Sequence, residues 1–221
     1  MTERQFQVLT NIVSSYIKTA LPVSSQYLEQ ESRLGVSPAT IRNEMKELTE
    51  KGFVTQPHTS AGRVPTEQGY RAFVDSILRD QMAFPDAQSF SHASEEGVHA
   101  LGALAKSIAQ ETSGLVVLYT AEYGLFWQEG WGGVLREPEF RDQEHVAELT
   151  CLVRGIEENI EQISQEQEFR VYIGRENPFF QAQRLSMIMG TTVLGGKGLV
   201  AVVGPMRMAY IRNIRVMRSL L

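Results

Sequence analysis

The chain has 221 residues, 43% hydrophobic and 21% charged, with 10 Phe, 7 Tyr and 2 Trp, proportions that exclude disorder throughout and suit one large domain or two small ones. No run approaches the roughly 18 apolar residues of a spanning helix, and the start MTERQFQVL has no apolar signal core, so a cytoplasmic protein without a membrane partner is expected. Cys151 cannot pair within the chain, and His58, His92, His99 and His145 are scattered, so neither a disulfide nor a metal site is expected.

The net charge of −5 argues at first against a nucleic-acid partner, which usually meets a positive surface. The charge is uneven, however. Residues 1–80 carry nine Lys and Arg against nine Asp and Glu, whereas residues 81–221 carry twelve against seventeen. All of the net acidity therefore lies in the second part. Within residues 33–71 six bases face four acids, so a local positive surface exists if the fold segregates them.

In chain order, Phe6, Leu9, Ile12, Val13, Tyr16 and Ile17 repeat with helical period and predict a first helix over 3–19, stopped before Pro22. Ser24 or Ser25 caps a short helix reaching about Glu31. A turn at 34–36 follows, and Ser37-Pro38 opens another helix with a side-chain cap and proline at its first position. Gly52 stands where a helix ends, Phe53 and Val54 begin a strand, and 56–64 is a polar loop. Thr66 caps a helix to Leu78 that buries Tyr70, Phe73, Val74 and Ile77 against the first. The stretch FPDAQSFSHASEEG (84–97) reads as a linker, so the expected domains are 1–80, a polar linker and helix over 81–114, and 115–221.

Beyond the linker, 98–110 is predicted helical, with Leu101, Leu104, Ala105 and Ile108 on one side. LVVLY (115–119), FRVYIG (169–174) and LVAVVG (199–204) read as buried strands, and Val146, Leu149, Leu152, Val153, Ile156, Ile160 and Ile163 as one long amphipathic helix. Gly195, Gly196, Lys197 and Gly198 suit a hairpin turn, and Pro205 is expected to open a final helix to Leu221.

Two short helices joined by a tight turn and followed by a hairpin have the order of a winged helix-turn-helix. On the helix opened by Ser37, Ile41, Met45 and Leu48 fall on one side, and Ala39, Arg42, Asn43 and Lys46 on the other. The outer side suits DNA. Ala39 allows close approach, Arg42 can donate twice to a guanine edge, Asn43 can pair with adenine, and Lys46 can meet a phosphate. An ordinary amphipathic helix also carries polar residues there; the loop of His58, Thr59, Ser60 and Arg63, poor in acids, tips the reading toward a wing.

The segment GVSPATIRNEMKELTEKGFVTQPHTSAGRVPTEQGYRAFVD resembles the DNA-binding domain of the heat-inducible transcription repressor HrcA family, through PHTSAGR (57–63), Pro65-Thr66 and Gly69-Tyr70-Arg71 without a gap. Pro138-Glu139-Phe140, VYIGREN (171–177) and GPMRM (204–208) are similar to pieces of that family's GAF-like effector domain, in order. The resemblance implies an α+β protein, with an N-terminal winged helix-turn-helix followed by a reduced GAF-like domain holding an antiparallel sheet. Only residues 81–137 separate the two sets of motifs, so much of the effector domain's first half and the family's inserted subdomain are expected to be missing. It further implies a repressor of chaperone genes that binds, as a homodimer, an inverted-repeat operator of the CIRCE type in double-stranded DNA and is kept active by a GroE-type chaperonin. The candidate DNA-contacting residues are then Ser37, Ala39, Thr40, Arg42, Asn43, Lys46, His58, Thr59, Ser60, Arg63 and Arg71.

Other functions have weaker footing. The glycines at 195–198 lack the Ser or Thr of a phosphate loop, and Cys151 is expected as a buried, inert thiol, so no catalytic or cofactor site is read. Tyr119, Tyr123, Phe126, Trp127 and Trp131 could line a pocket for a small-molecule regulator, although such aromatics more often fill a core or a dimer seam. The final stretch offers Arg207, Arg212, Arg215 and Arg218 with no acid after Glu176, and the last three, recurring every third residue, suggest an anion-binding ridge or, more conservatively, a solvated face or intersubunit salt bridges to the acidic 157–168 region.

Overall fold

The computed structural model describes residues 1–32, 34–59, 61–80, 98–165, 169–177, 182–192 and 198–220. They form two compact units, Met1–Asp80 and Gln81–Leu221. No described helix is long and apolar enough to cross a membrane.

In the first unit, local signals set each boundary. Helix α1 (Glu3–Thr19) begins with a capping box, in which Thr2 accepts from the Gln5 amide and the Gln5 side chain accepts from the Thr2 amide. Ser24 caps α2 (Ser25–Glu31). Gly35, at φ +65°, turns the chain toward α3 (Pro38–Glu50), which starts with the Ser37 cap and a proline at its first position. Strands β1 (Val54–Thr55) and β2 (Val64–Pro65) pair antiparallel and flank a loop, and α4 (Glu67–Arg79) follows the Thr66 cap. Val8, Leu9, Ile12 and Val13 of α1, Leu28 of α2, Ile41, Met45 and Leu48 of α3, and Tyr70, Phe73, Val74 and Ile77 of α4 are buried.

The second unit is a five-stranded antiparallel sheet of order β4-β3-β7-β6-β5, built from β3 (Leu115–Thr120), β4 (Leu125–Glu129), β5 (Arg170–Ile173), β6 (Leu185–Thr192) and β7 (Gly198–Pro205). One row, Leu115, Val203, Met187 and Tyr172, runs in register across four strands. This row packs with α7 (Gln143–Glu158) and α8 (Ile160–Gln165) through Leu149, Leu152, Val153, Ile156 and Ile163. The alternate row, Val116, Val202, Ile188 and Val171, lies on the opposite face, where α5 (Val98–Thr112) and α9 (Tyr210–Arg218) pack. Burial on both faces explains why these strands read as unbroken apolar runs instead of alternating ones. A short α6 (Trp131–Val134) and a 3-10 turn over Pro138–Arg141 connect β4 to α7.

Three expectations need correction, and one strand is added to them. The predicted long helix is interrupted at Asn159, whose side-chain amide donates to the Gly155 carbonyl at 2.9 Å and closes α7 before α8 begins. Pro205 does not open the last helix. It ends β7 opposite Leu185, where its missing N–H costs no ladder bond, and α9 starts only at Tyr210 and ends at Arg218. Strand β4 was not anticipated, because Leu125 to Glu129 are all half-buried and show no two-residue alternation. Finally, Cys151 is exposed on α7: Leu149, Leu152, Val153 and Ile156 supply the buried face, and position 151 falls between them on the outside. The linker residues 81–97 and the glycine turn at 195–197 lie outside the described residues.

Candidate nucleic-acid interface

Helix α3 divides cleanly. Ile41, Met45 and Leu48 are buried, while Ala39, Arg42, Asn43 and Lys46 are all exposed. The Ser37 hydroxyl oxygen accepts from the Thr40 amide at 3.2 Å and lies 3.1 Å from the half-buried Thr40 hydroxyl, so both residues serve the helix start. Among the described residues no ion pair or hydrogen bond engages the Arg42 or Asn43 side chains. Lys46 meets Glu50 one turn on, at 3.8 Å, with both side chains largely in water; such a pair contributes little and is readily given up.

Two of the three acids of α3 are matched by cations away from its outer face. Glu44 meets Arg4 at 3.8 Å, and Glu47 meets Lys51 at 3.5 Å. Negative charge that would otherwise oppose a phosphate backbone is thus locally compensated, while on the outer face Arg42 has no ion pair among the described residues. The sequence alone did not separate these acids from the outer face, since pairing with α1 depends on how the helices pack.

The loop between β1 and β2 is braced from inside. The Gln56 side-chain amide donates to the carbonyls of Thr59 and Ala61, at 2.8 and 2.9 Å, and the Ala61 amide donates to His58 O at 2.9 Å. Pro57, His58 and Thr59 are exposed at its tip; Ser60 lies outside the described residues. Gln56 was not singled out from sequence, although glutamine heading a turn-rich loop is the available signal. At the base of the loop, Val23 and Arg63 exchange both backbone hydrogen bonds, at 2.9 and 2.8 Å. Any side chain at Gly62 would put a Cβ 2.3 Å from the Val23 carbonyl oxygen, which accounts for glycine there.

Two candidate residues are placed differently from the expectation of free reach. The Arg63 Nε donates to the Thr49 hydroxyl of α3 at 2.9 Å, so this side chain ties the loop to the helix instead of leading the loop tip. Arg71 pairs with Asp75 along α4 at 3.3 Å and is half-buried. The structure therefore brings Ala39, Arg42, Asn43 and Lys46 together on one helix face, puts His58 and Thr59 at a separate exposed loop, and holds Arg63 between the two.

In the second unit the aromatic group does not converge on one pocket. Tyr119, Phe126 and Trp131 pack on the core beside α7 and α8, whereas Trp127 faces the other way, over Gly102 of α5, and Tyr123 is exposed. Two of the three arginines of the suggested ridge are engaged within the unit: Arg212 donates to the Thr112 carbonyl at 2.9 Å, and Arg218 lies over the Phe169 ring at 5.5 Å, while Arg207 is enclosed by Glu137 and Glu139. No group of three or more His, Cys, Asp and Glu side chains suits a metal ion among the described residues.

A family model described as the HrcA protein C terminal domain matches residues 76–214. The chain belongs to the HrcA family. Among similar HrcA-family proteins, the "Heat-inducible transcription repressor HrcA" of Desulforamulus reducens is 46% identical over 103 residues, 46% of this chain and 30% of the relative. That of Acetivibrio thermocellus is 40% identical over 110 residues, 49% of this chain and 31% of the relative. That of Chlorobium chlorochromatii is 55% identical over 78 residues, 35% and 22% of the two chains. Each match thus spans less than a third of the HrcA relative. A solved structure titled as a hypothetical protein at 2.2 Å resolution superposes with a TM-score of 0.82 at 22% identity, covering 100% of this chain and 96% of that one; this shows a shared fold.

Proposed function

We propose that residues 1–80 form a winged helix-turn-helix, with α3 as the reading helix and the β1–β2 loop as the wing, and that the protein represses transcription by binding DNA. The observation that carries this reading is the exposed outer face of α3, where Arg42 and Asn43 have no partner in the described protein and Ala39 keeps the approach open. Arginine and asparagine are the side chains that read guanine and adenine edges bidentately in a major groove. Exposed basic and polar residues at His58 and Thr59 suit backbone or minor-groove contact by the wing.

The family resemblance extends the proposal to the operator and its control. A single reading helix covers too few base pairs for genomic selectivity, and a twofold dimer sets two such helices one turn apart on an inverted repeat. We therefore infer a homodimer on a CIRCE-type inverted repeat ahead of chaperone genes, in a cytoplasmic setting, with a GroE-type chaperonin keeping the repressor active. The GAF-like second unit is the proposed dimer clamp and the part whose folding state is sensed.

Light scattering of the full chain, with and without a duplex carrying the inverted repeat, tests this directly. The expected complex holds two chains per duplex, with affinity falling steeply as salt rises. A protein that stays a lone subunit and binds repeat and scrambled duplexes equally, even in dilute buffer, would overturn it.

A further inference from the structure

We infer that Gln5 is a positioning residue for base reading, which sets the rotation of α3 about its own axis; the inference rests on the DNA-binding reading above. Gln5 sits in the first turn of α1 with 2% of its surface exposed. Its side-chain Nε2 donates to Glu47 Oε2 of α3 at 2.6 Å, and its Oε1 accepts from Lys51 Nζ at 2.9 Å and from the Thr2 amide at 3.1 Å. Lys51 also meets Glu47 at 3.5 Å, so the four residues close a network between the start of α1 and the end of α3. One turn earlier on α3, Glu44 meets Arg4, the neighbour of Gln5. The first turn of α1 thus holds two successive turns of α3.

This attachment does something that the apolar core cannot. Burial of Ile41, Met45 and Leu48 is favourable but non-directional, and permits α3 to roll on its packed side. Hydrogen bonds constrain direction as well as distance. Successive helical residues are 100° apart, so a small roll carries the tips of Arg42 and Asn43 sideways, and bidentate base contacts tolerate only about 0.5 Å and 10–20°. Phosphate contacts through a flexible lysine tolerate far more. Loss of the Gln5 network therefore lowers selectivity between sequences while leaving general attraction to DNA in place.

The experiment compares the full chain with Gln5→Glu, Gln5→Leu, Glu47→Gln and the exchange variant Gln5→Glu/Glu47→Gln. Fluorescence anisotropy gives Kd for a CIRCE-type inverted-repeat duplex and for a scrambled duplex, and thermal melting gives Tm. Gln5→Glu sets a carboxylate against Glu47 and is expected to lower the repeat-to-scrambled affinity ratio roughly tenfold, as loss of one bidentate contact does. Its added negative charge acts on both duplexes alike and cancels in the ratio. The exchange variant swaps donor and acceptor across the same gap and restores the ratio. Should Gln5→Glu fail to fold, Gln5→Leu carries the test: it keeps the bulk, removes the network, and is expected to lose selectivity while still binding scrambled DNA.

A selective parent protein with unchanged ratios in Gln5→Glu and Gln5→Leu overturns the positioning role and leaves the DNA-binding reading intact. Loss of both duplexes in step with a fall in Tm, without rescue by the exchange, reduces Gln5 to a structural residue and also overturns it. A parent protein with no preference for the repeat defeats the DNA-binding reading, and the inference with it.

Discussion

Arg207 and Glu139, 68 positions apart, form a forked pair: the arginine Nε donates to one carboxylate oxygen at 2.5 Å and a terminal nitrogen to the other at 3.0 Å. A terminal nitrogen also reaches Glu137 at 2.5 Å. Only 10% of the Arg207 side chain is exposed. Burial opposes its charge, but the hydrogen bonds and charges of Glu139, then of Glu137, outweigh that and hold the guanidinium above its ordinary pKa. The pair joins the turn before α7 to the end of β7, and so joins the Pro138-Glu139-Phe140 and Gly204–Met208 motifs that carry the resemblance in the second half of the chain.

Replacing Arg207 with Met is accordingly expected to cost about 2–4 kcal/mol, because two carboxylates lose their counter-charge while partly withdrawn from water. Chemical denaturation measures it. A second-unit transition unchanged by Arg207→Met would show that the glutamates recover full hydration without the arginine.

Gly69 and Gly35 should respond differently to alanine. A Cβ at Gly69 would lie 2.1 Å from the Phe53 carbonyl oxygen, on backbone that cannot turn away, whereas a Cβ at Gly35 meets nothing and suffers only from the φ of +65°. Gly69→Ala is expected to cost upward of about 2 kcal/mol and Gly35→Ala about 1 kcal/mol. Equal losses in urea unfolding would contradict the close approach of α4 to β1.

If α3 is the reading helix proposed above, Arg42→Ala should relax base selectivity at a cost of about 1–3 kcal/mol on the repeat, whereas Lys46→Ala should weaken all sequences alike and reduce the salt slope by about one. The Lys46–Glu50 pair is too exposed to hold Lys46 back from a phosphate. Affinities across a salt series on repeat and scrambled duplexes distinguish the two; equal loss from both substitutions on both duplexes would place Arg42 on the backbone.

Asp142 caps α7. The Glu144 amide, and after it the His145 side chain, hold its carboxyl below the ordinary carboxylate range. A depressed folded-state pKa contributes stability that is present above the unfolded value, near 4, and is lost as pH falls through the folded value. Asp142→Asn, which keeps a capping oxygen without titrating, should remove the charged cap's contribution at neutral pH and make the acid side of the stability profile shallower below about pH 4. An unaltered acid slope in pH-dependent melting would show that the cap carries no linkage.

What was legible in the sequence was local. Ser37-Pro38, Gly52, Thr66 and the 3.6-residue spacing of Ile41, Met45 and Leu48 act through backbone and side chains a few positions apart, so they specify α3, its exposed face and the following ribbon whatever the rest of the chain does. The apolar runs at 115–119 and 199–204 likewise announce buried strands. Tertiary structure alone decided the partners of the charges. Arg207 went to Glu139, Arg63 to Thr49 and Glu47 to Gln5, because long polar side chains go to whatever hydrogen-bonding partner packing delivers within about 3 Å. It also decided that Trp127 packs over Gly102 of α5 and that Leu115, Val203, Met187 and Tyr172 line up across four strands. Each of these depends on contacts between residues remote in sequence, and pattern within a short window carries no record of them.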